Sequence, residues 1–195
     1  MILGYLILAH LLGDFVLQPN KLVLWKIKSK IGILVHALVH FCINILVLLP
    51  FIIKGAFWLI PSALFISVIH FSIDQTKINY DLKHDKKVLP FLIDQLLHLL
   101  TILIAYFFLG KIELNIPKTQ FYEIYTNIRI VIFLSLIILA TTVVEIYRFQ
   151  KQRERNRNAT IKLNSDKMLN RLIVLTLVYA LFMALSFYVR FQEFF

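Results

Sequence analysis

The sequence predicts an all-α fold, a polytopic membrane bundle of about six transmembrane helices, and three observations carry that prediction. Apolar residues make up 59% of the 195-residue chain and charged residues only 16%, where a soluble domain carries about a quarter charged residues. Apolar runs of about 20 residues recur, each long enough to cross roughly 30 Å of hydrocarbon, and mean hydropathy is +0.78. The basic residues fall on alternate connections between those runs.

The first run predicts a helix over 2–18. It has neither a positive n-region nor a small-residue cleavage site, so it reads as a retained helix rather than a signal peptide. Residues 19–30 read as a loop with Lys21, Lys26, Lys28 and Lys30. Helices over 31–53 and 56–76 are separated by little more than Lys54-Gly55, which predicts a tight antiparallel hairpin bent near its closed end by Pro50 and Pro61. Cys42, the one cysteine, rules out a disulfide framework and a Cys-based metal knot within the chain, and is expected to be a small buried hydrophobe. Residues 77–88 form a second loop with Lys77, Lys83, Lys86 and Lys87. The helix over 89–109 admits Pro90 in its first turn, where the missing N–H costs little.

The second part is plainer. "GKIELNIPKTQFYEIYTN" (110–127) reads as an external loop with aromatics at the interface. Helices over 128–147 and 171–190 flank the basic connection 148–171, which carries Arg148, Lys151, Arg153, Arg155, Arg157, Lys162, Lys167 and Arg171. Glu145 is expected to pair with Arg148 at i+3. The chain thus divides into a four-helix membrane core, 1–110, carrying a polar site, and a unit over 111–195 with an external loop (111–127) and a basic cytoplasmic loop (148–171).

Sixteen of the 21 Lys and Arg lie on the three loops 19–30, 77–88 and 148–171, and Lys54, Lys111, Lys118, Arg129 and Arg190 lie on the other side. Positive loops stay cytoplasmic, so both termini are expected outside a bacterial cytoplasmic membrane, and the formal charge of +10 follows from topology and attraction to anionic headgroups. No aromatic stacking pattern or nucleic-acid motif accompanies the basic loop, so no nucleic-acid partner is expected. The sequon at Asn158 falls on that loop and reads as incidental.

Four helices each carry an i, i+4 polar pair, which a helix places on one face. "AHLLGDFVLQ" holds His10 and Asp14, with Gln18 four residues on; "HALVH" holds His36 and His40, with Asn44 beyond; "HFSIDQTK" holds His70 and Asp74, then Lys77; "DQLLH" holds Asp94 and His98, with Gln95. The first and third helices run inward and end in their pairs, while the second and fourth run outward and begin with theirs. All four pairs therefore fall in the cytoplasmic half of the bilayer. Each ionisable group at a helix centre costs roughly 2.5–3.5 kcal/mol, so they must converge inside the bundle. A lone intramembrane His or Asn is ordinarily interhelical glue, and Asn44 and Gln95 are read that way, as partners beside the site. Four pairs at one depth are not explained by glue alone.

Imidazole and carboxylate without thiolate suit zinc first, then manganese or iron. Four-helix bundles hold two metals with a comparable inward array. The eight donors, His10, Asp14, His36, His40, His70, Asp74, Asp94 and His98, exceed the needs of one tetrahedral ion. Either two divalent ions share them, or one is bound and the surplus supplies a general base and orienting partners. The expected chemistry is metal-dependent hydrolysis of a phosphate ester or anhydride on a lipid-like substrate, with Asp14 or Asp94 as base and Lys77 and Gln18 contacting the substrate. Lys77 near the surface can equally snorkel. The alternatives are a divalent-cation or proton transporter using the same array and a scaffold stapled by metal. The outer halves of the first four helices are almost wholly apolar and no inverted repeat is visible, which weighs against transport. Oligomeric state is open at this level.

These four motifs, in this order over roughly the first 110 residues, resemble those of a family of small bacterial membrane proteins catalogued as a domain of unknown function. The resemblance implies a membrane helical protein and no activity. A looser similarity, in His- and Asp-bearing membrane helices, is to a group of membrane-bound metal-dependent hydrolases. No G-x-S-x-G or P-loop signature is present.

Overall fold

In the computed structural model, residues 1–108, 117–156 and 159–192 are described, with backbone alone for 187–192. The helices are α1 (Ile2–Leu11), α2 (Asn20–Lys28), α3 (Lys30–Ile53), α4 (Leu59–Lys83), α5 (Val88–Phe108), α6 (Gln120–Tyr125), α7 (Ile128–Ile138), α8 (Val144–Arg155) and α9 (Ser165–Gln192). π-helical turns extend α1 over Leu12–Val16 and join α7 to α8 over Leu139–Val143. No strand occurs among the described residues. Five helices are long and apolar enough to cross a membrane, or six if the bent pair Ile2–Val16 and Asn20–Lys28 counts as one span.

α1 is the axis of the bundle. It is apolar on all sides, and Ile2, Tyr5, Leu6, Leu8, Ala9 and Leu11 are all buried, as expected of a helix surrounded by others. Its neighbours are α3, α5 and α7, while α4 closes the ring between α3 and α5. The predicted hairpin forms: Gly55, at φ +97°, makes the turn between α3 and α4, a left-handed conformation that glycine adopts without steric cost. Pro50 sits in the last turn of α3 and Pro61 in the first turn of α4.

Several sequence expectations change. The first helix stops at Val16, so with its π turn it is about 22 Å long at 1.5 Å per residue. Pro19 explains the stop, since the residue before a proline is pushed out of the helical region; Leu17 leaves it at φ −100°, ψ 17°. Residues 20–28, expected as loop, form α2, bent 87° from the first helix. α4 continues to Lys83 and α8 to Arg155, so much of the basic sequence expected in loops is helical. α9 begins at Ser165, before the expected 171. Cys42 is exposed on α3 rather than buried.

The expected external loop 111–127 is described only from residue 117, where α6 docks on the closed end of the hairpin. The Tyr122 hydroxyl donates to the Pro50 carbonyl at 3.2 Å and Tyr125 to that of Val47. Tyr5 stacks on Tyr125 and meets Phe51 edge-on, with centroids 4.9 and 5.3 Å apart. With Leu6, Leu48, Leu59 and Ile102, all essentially inaccessible, these rings fill one end of the bundle with apolar side chains. Burial pushes the Tyr125 phenol above its ordinary range. Lys111, Arg157 and Asn158 lie outside the described residues.

Candidate metal centre

The opposite end of the bundle is polar, and the four i, i+4 pairs meet there. Asp14 sits in the π turn, on the same short stretch as Gly13, whose missing side chain leaves room for an imidazole: a Cβ on Gly13 would lie 2.4 Å from His40 Cε1. π turns re-aim side chains and recur at functional sites. Here the turn brings Asp14 Oδ1 to 3.0 Å from Nε2 of both His36 and His40 and 3.5 Å from Nε2 of His70. His10 Nε2 is 3.7 Å from Asp14 Oδ2.

A second focus lies beside the first. His98 Nε2 is 3.5 Å from Asp94 Oδ1 and 3.8 Å from Asp74 Oδ1, and Asp74 Oδ2 is 3.7 Å from Nε2 of both His36 and His70. Two separate sets of donor atoms result: His10, Asp14, His40 and His70, and Asp74, Asp94 and His98. The atoms of each set lie within 4.8 Å of one another, and a third set, His36, His70 and Asp74, bridges them. All eight residues are buried or nearly so. The imidazole rings stack through the middle, with His40 and His98 centred 3.8 and 4.0 Å from His70.

Two features of the cluster fit a cation. Donors on one tetrahedral ion, with bonds of about 2.0–2.1 Å, stand about 3.4 Å apart, and the His–Asp ion pairs of the cluster lie 3.0 to 3.8 Å apart, with all the donor atoms of each set within 4.8 Å. Nε2 of His70 and of His98 and Oδ1 of Asp94 are inaccessible to solvent and have no hydrogen-bond partner among the described residues. Buried polar atoms are nearly always satisfied, and these unsatisfied atoms, on α4 and α5, belong to groups that could hold an ion. Charge agrees. Three carboxylates are buried within the cluster, and removing an ion from water costs several kcal/mol unless it is compensated.

The residues flanking the cluster differ in what they hold. Gln95 belongs to it: its carbonyl accepts from His10 Nε2 at 3.3 Å, and its amide donates to Asp14 Oδ2 at 3.3 Å and Asp94 Oδ2 at 3.0 Å. The Gln18 amide nitrogen lies 2.9 Å from His36 Nε2. Asn44 does not join. Its amide donates to the His40 carbonyl in its own helix at 2.9 Å, and among the described residues it has no hydrogen bond to a side chain of the cluster or to another helix. Lys77 pairs with Asp81 at 3.5 Å and lines the cavity above the cluster. Glu145 pairs with Arg148 at 3.1 Å as expected, and also receives Arg171 at 2.5 Å.

Lys26 was not singled out by its position in a basic loop. Its side chain is buried, and its ammonium is ion-paired with Asp74 Oδ2. Of the three lysines on α2, Lys21 and Lys28 are exposed, as are Leu24, Trp25 and Ile27, and Lys26 alone is turned inside. The signal in the sequence is "LVLWKIK", a lysine set among apolar residues.

The cluster floors an open cavity of about 560 Å³. Asp14, Asp74, Asp94 and Gln95 lie at its base; Lys26, Lys77 and Arg153 are its cationic groups; Phe15, Val23, Leu24, Ile78, Phe91, Ile146 and Phe149 make its apolar walls. α8 supplies one wall and is latched by Glu154, whose Oε1 accepts from the backbone N–H groups of Lys87 and Val88 at 2.7 and 2.8 Å, at the start of α5.

Fold and site together define a class: a membrane helical bundle enclosing buried His/Asp groups that can hold a metal ion. Within that class the chain belongs to DUF3307, a family described as proteins of unknown function, whose profile matches residues 2–127. No curated protein and no solved structure matches the chain. All eight donors fall inside the family match, whereas α8, which walls the cavity, falls outside it.

Proposed function

We propose that the protein is a metal-dependent hydrolase of the bacterial cytoplasmic membrane, acting on a phosphate ester or anhydride of a lipid-like substrate at the inner leaflet. The observation that carries this reading is the cavity. One volume is lined by the three carboxylates of the cluster, by Lys26, Lys77 and Arg153 with Asp81 beside Lys77, and by an apolar wall, which supports a site for an ion with a polar headgroup and a hydrocarbon chain above it. The far end of the bundle is filled by Leu6, Leu48, Phe51 and Leu59, which supports a site reached from one side over a transport path.

The His and Asp side chains would hold a divalent ion, zinc first by their chemistry with manganese or iron as the next fits, and such an ion would lower the pKa of a water toward neutrality and polarise a phosphoryl oxygen. In this reading Asp14, ringed by imidazoles, serves the ion, and Asp94, which lines the cavity, is the base. Asp94 takes the proton of the attacking water, that oxygen bonds to phosphorus, the bond to the leaving oxygen breaks, and the proton passes to the leaving oxygen. Lys77 and Arg153 meet the phosphate from the cavity wall, Lys26 stays on Asp74, and Gln18 and Gln95 hold His36 and the carboxylates in place.

Elemental analysis of detergent-purified protein, beside turnover of isoprenoid and glycerolipid phosphates with and without chelator, tests the proposal. One to two divalent ions per chain are expected, lost in His36→Ala/His40→Ala together with turnover. Metal and turnover both surviving that double substitution would sink the mechanism. Metal or proton flux in proteoliposomes without hydrolysis would replace it with a transporter.

A further inference from the structure

α8 separates two cavities. Phe149 borders both, while Gln150 and Arg153 face the metal cluster and Arg148, Lys151 and Arg155 face away from it. The second cavity, of about 490 Å³, is completed by the start of α9 and the segment before it, which contribute Lys162 and Lys167. Five cationic side chains thus converge on a concavity in which Glu145 is the one carboxylate among the described residues.

Glu145 is already committed. It is buried, and it receives Arg171 at 2.5 Å, Arg148 at 3.1 Å and the backbone N–H of Asn164 at 3.4 Å. These contacts tie α9 and its leading segment to α8, so they build the cavity and leave no negative charge for the rest of it. Lys151, Arg155, Lys162 and Lys167 have no acidic partner among the described residues. Like charges gathered in a concave, partly low-dielectric surface focus a positive potential and raise the local concentration of anions.

The cavity also has a definite place relative to the apolar surface. On the helices that continue into its two walls, Leu134 and Leu136 of α7, Leu139 of the π turn, and Ile173, Val174 and Leu177 of α9 are exposed. It therefore sits where the apolar belt ends, at headgroup level. We infer that this second cavity is a binding site for the phosphate-bearing headgroup of an anionic membrane lipid, separate from the metal cluster and independent of the hydrolase reading. Arg and Lys together supply the forked and point-charge donors that phosphate oxygens accept.

The test uses the full chain in detergent and reads lipid retention by native mass spectrometry. Phosphatidic acid, phosphatidylglycerol and phosphatidylcholine are offered at equal concentration, with inorganic pyrophosphate in a parallel titration. Wild type is expected to retain the two anionic lipids at least fivefold over phosphatidylcholine. Lys162→Gln/Lys167→Gln should bring that preference down to about equal retention, which the loss of two interfacial cations at about 1 kcal/mol each is enough to do, and Lys162→Arg/Lys167→Arg should restore it. Lys21→Gln/Lys118→Gln, equal in charge and away from the cavity, should leave it unchanged. Bound metal is measured in every variant and is expected to stay constant, which separates this site from the metal centre. Equal retention of all lipids by wild type, or equal loss in the control pair, overturns the inference. Tight pyrophosphate binding without lipid preference overturns the lipid source and makes the site one for soluble phosphates.

Discussion

At the residue scale, Gly13 is where sequence, local structure and site chemistry meet. A Cβ there would stand 2.4, 2.6 and 2.8 Å from three atoms of the His40 ring. That ring is fully buried between the His36 and His70 rings, at centroid distances of 4.6 and 3.8 Å, so it has no free volume to retreat into. Gly13→Ala should therefore displace His40 while leaving the helix intact, because alanine is the better helix former by about 1 kcal/mol. The expected outcome is at least a tenfold loss of metal affinity, measured by competition with a chromogenic chelator, with helical content unchanged by circular dichroism. Wild-type affinity in this variant would remove His40 from the set of donors. The convergence of the eight His and Asp is legible in the sequence because a helix turns i, i+4 spacing into one face, and four such faces point to one depth. Lys26 is not, since positive-inside counting absorbs every basic residue near a helix end. Asn44 shows the opposite error: helical spacing places it under His40, but its amide is taken by a carbonyl of its own helix.

At the element scale, α2 is the part that sequence reasoning left as loop, for a physical reason. The element is nine residues long and mixes lysine with apolar residues; isolated helices of that length are unstable in water, so it depends on what it packs against. The partner is α3 at Gly32, where a Cβ would lie 2.5 Å from the Trp25 carbonyl carbon and 2.7 Å from the Lys26 backbone nitrogen. Backbone atoms cannot rotate aside as a flexible side chain can, so Gly32→Ala must push α2 away and withdraw Lys26 from Asp74. Limited trypsin digestion reads this directly. Cleavage after Lys26 or Lys28 is expected to be several times faster in the variant than in wild type, with the α3–α4 hairpin still protected. An unchanged digestion pattern would mean that α2 is not held at this contact. The long helices were easier to read, because runs of about 20 apolar residues leave few alternatives. Their ends were missed toward the basic side, where α4 and α8 continue as charged helix past the apolar stretch that marks them.

At the scale of the whole molecule, the two ends of the bundle differ in every respect that bears on orientation. One end carries the α3–α4 turn at Lys54-Gly55, docked α6 and the plug of Tyr5, Phe51 and Tyr125. The other carries the donor cluster, both cavities and the basic ends of α2, α4 and α8. Lys and Arg are retained on the cytoplasmic side, so the second end should face the cytoplasm and the plugged end the exterior. Cys42 is the only thiol, so a Cys42→Ser background allows single cysteines to report on each end. A membrane-impermeant maleimide added to intact bacterial cells is expected to label Lys54→Cys, at the hairpin turn. It should label Lys28→Cys and Lys151→Cys only after the membrane is permeabilised. The reverse pattern would put the cavity on the outer face and move the substrate to the outer leaflet, leaving the donor geometry untouched. Labelling of all three in intact cells would contradict a bundle whose apolar helices span one membrane between these ends. The orientation and the chemistry thus rest on separate observations, the charge asymmetry of the helix ends and the convergence of eight buried donors, and either can fail without the other.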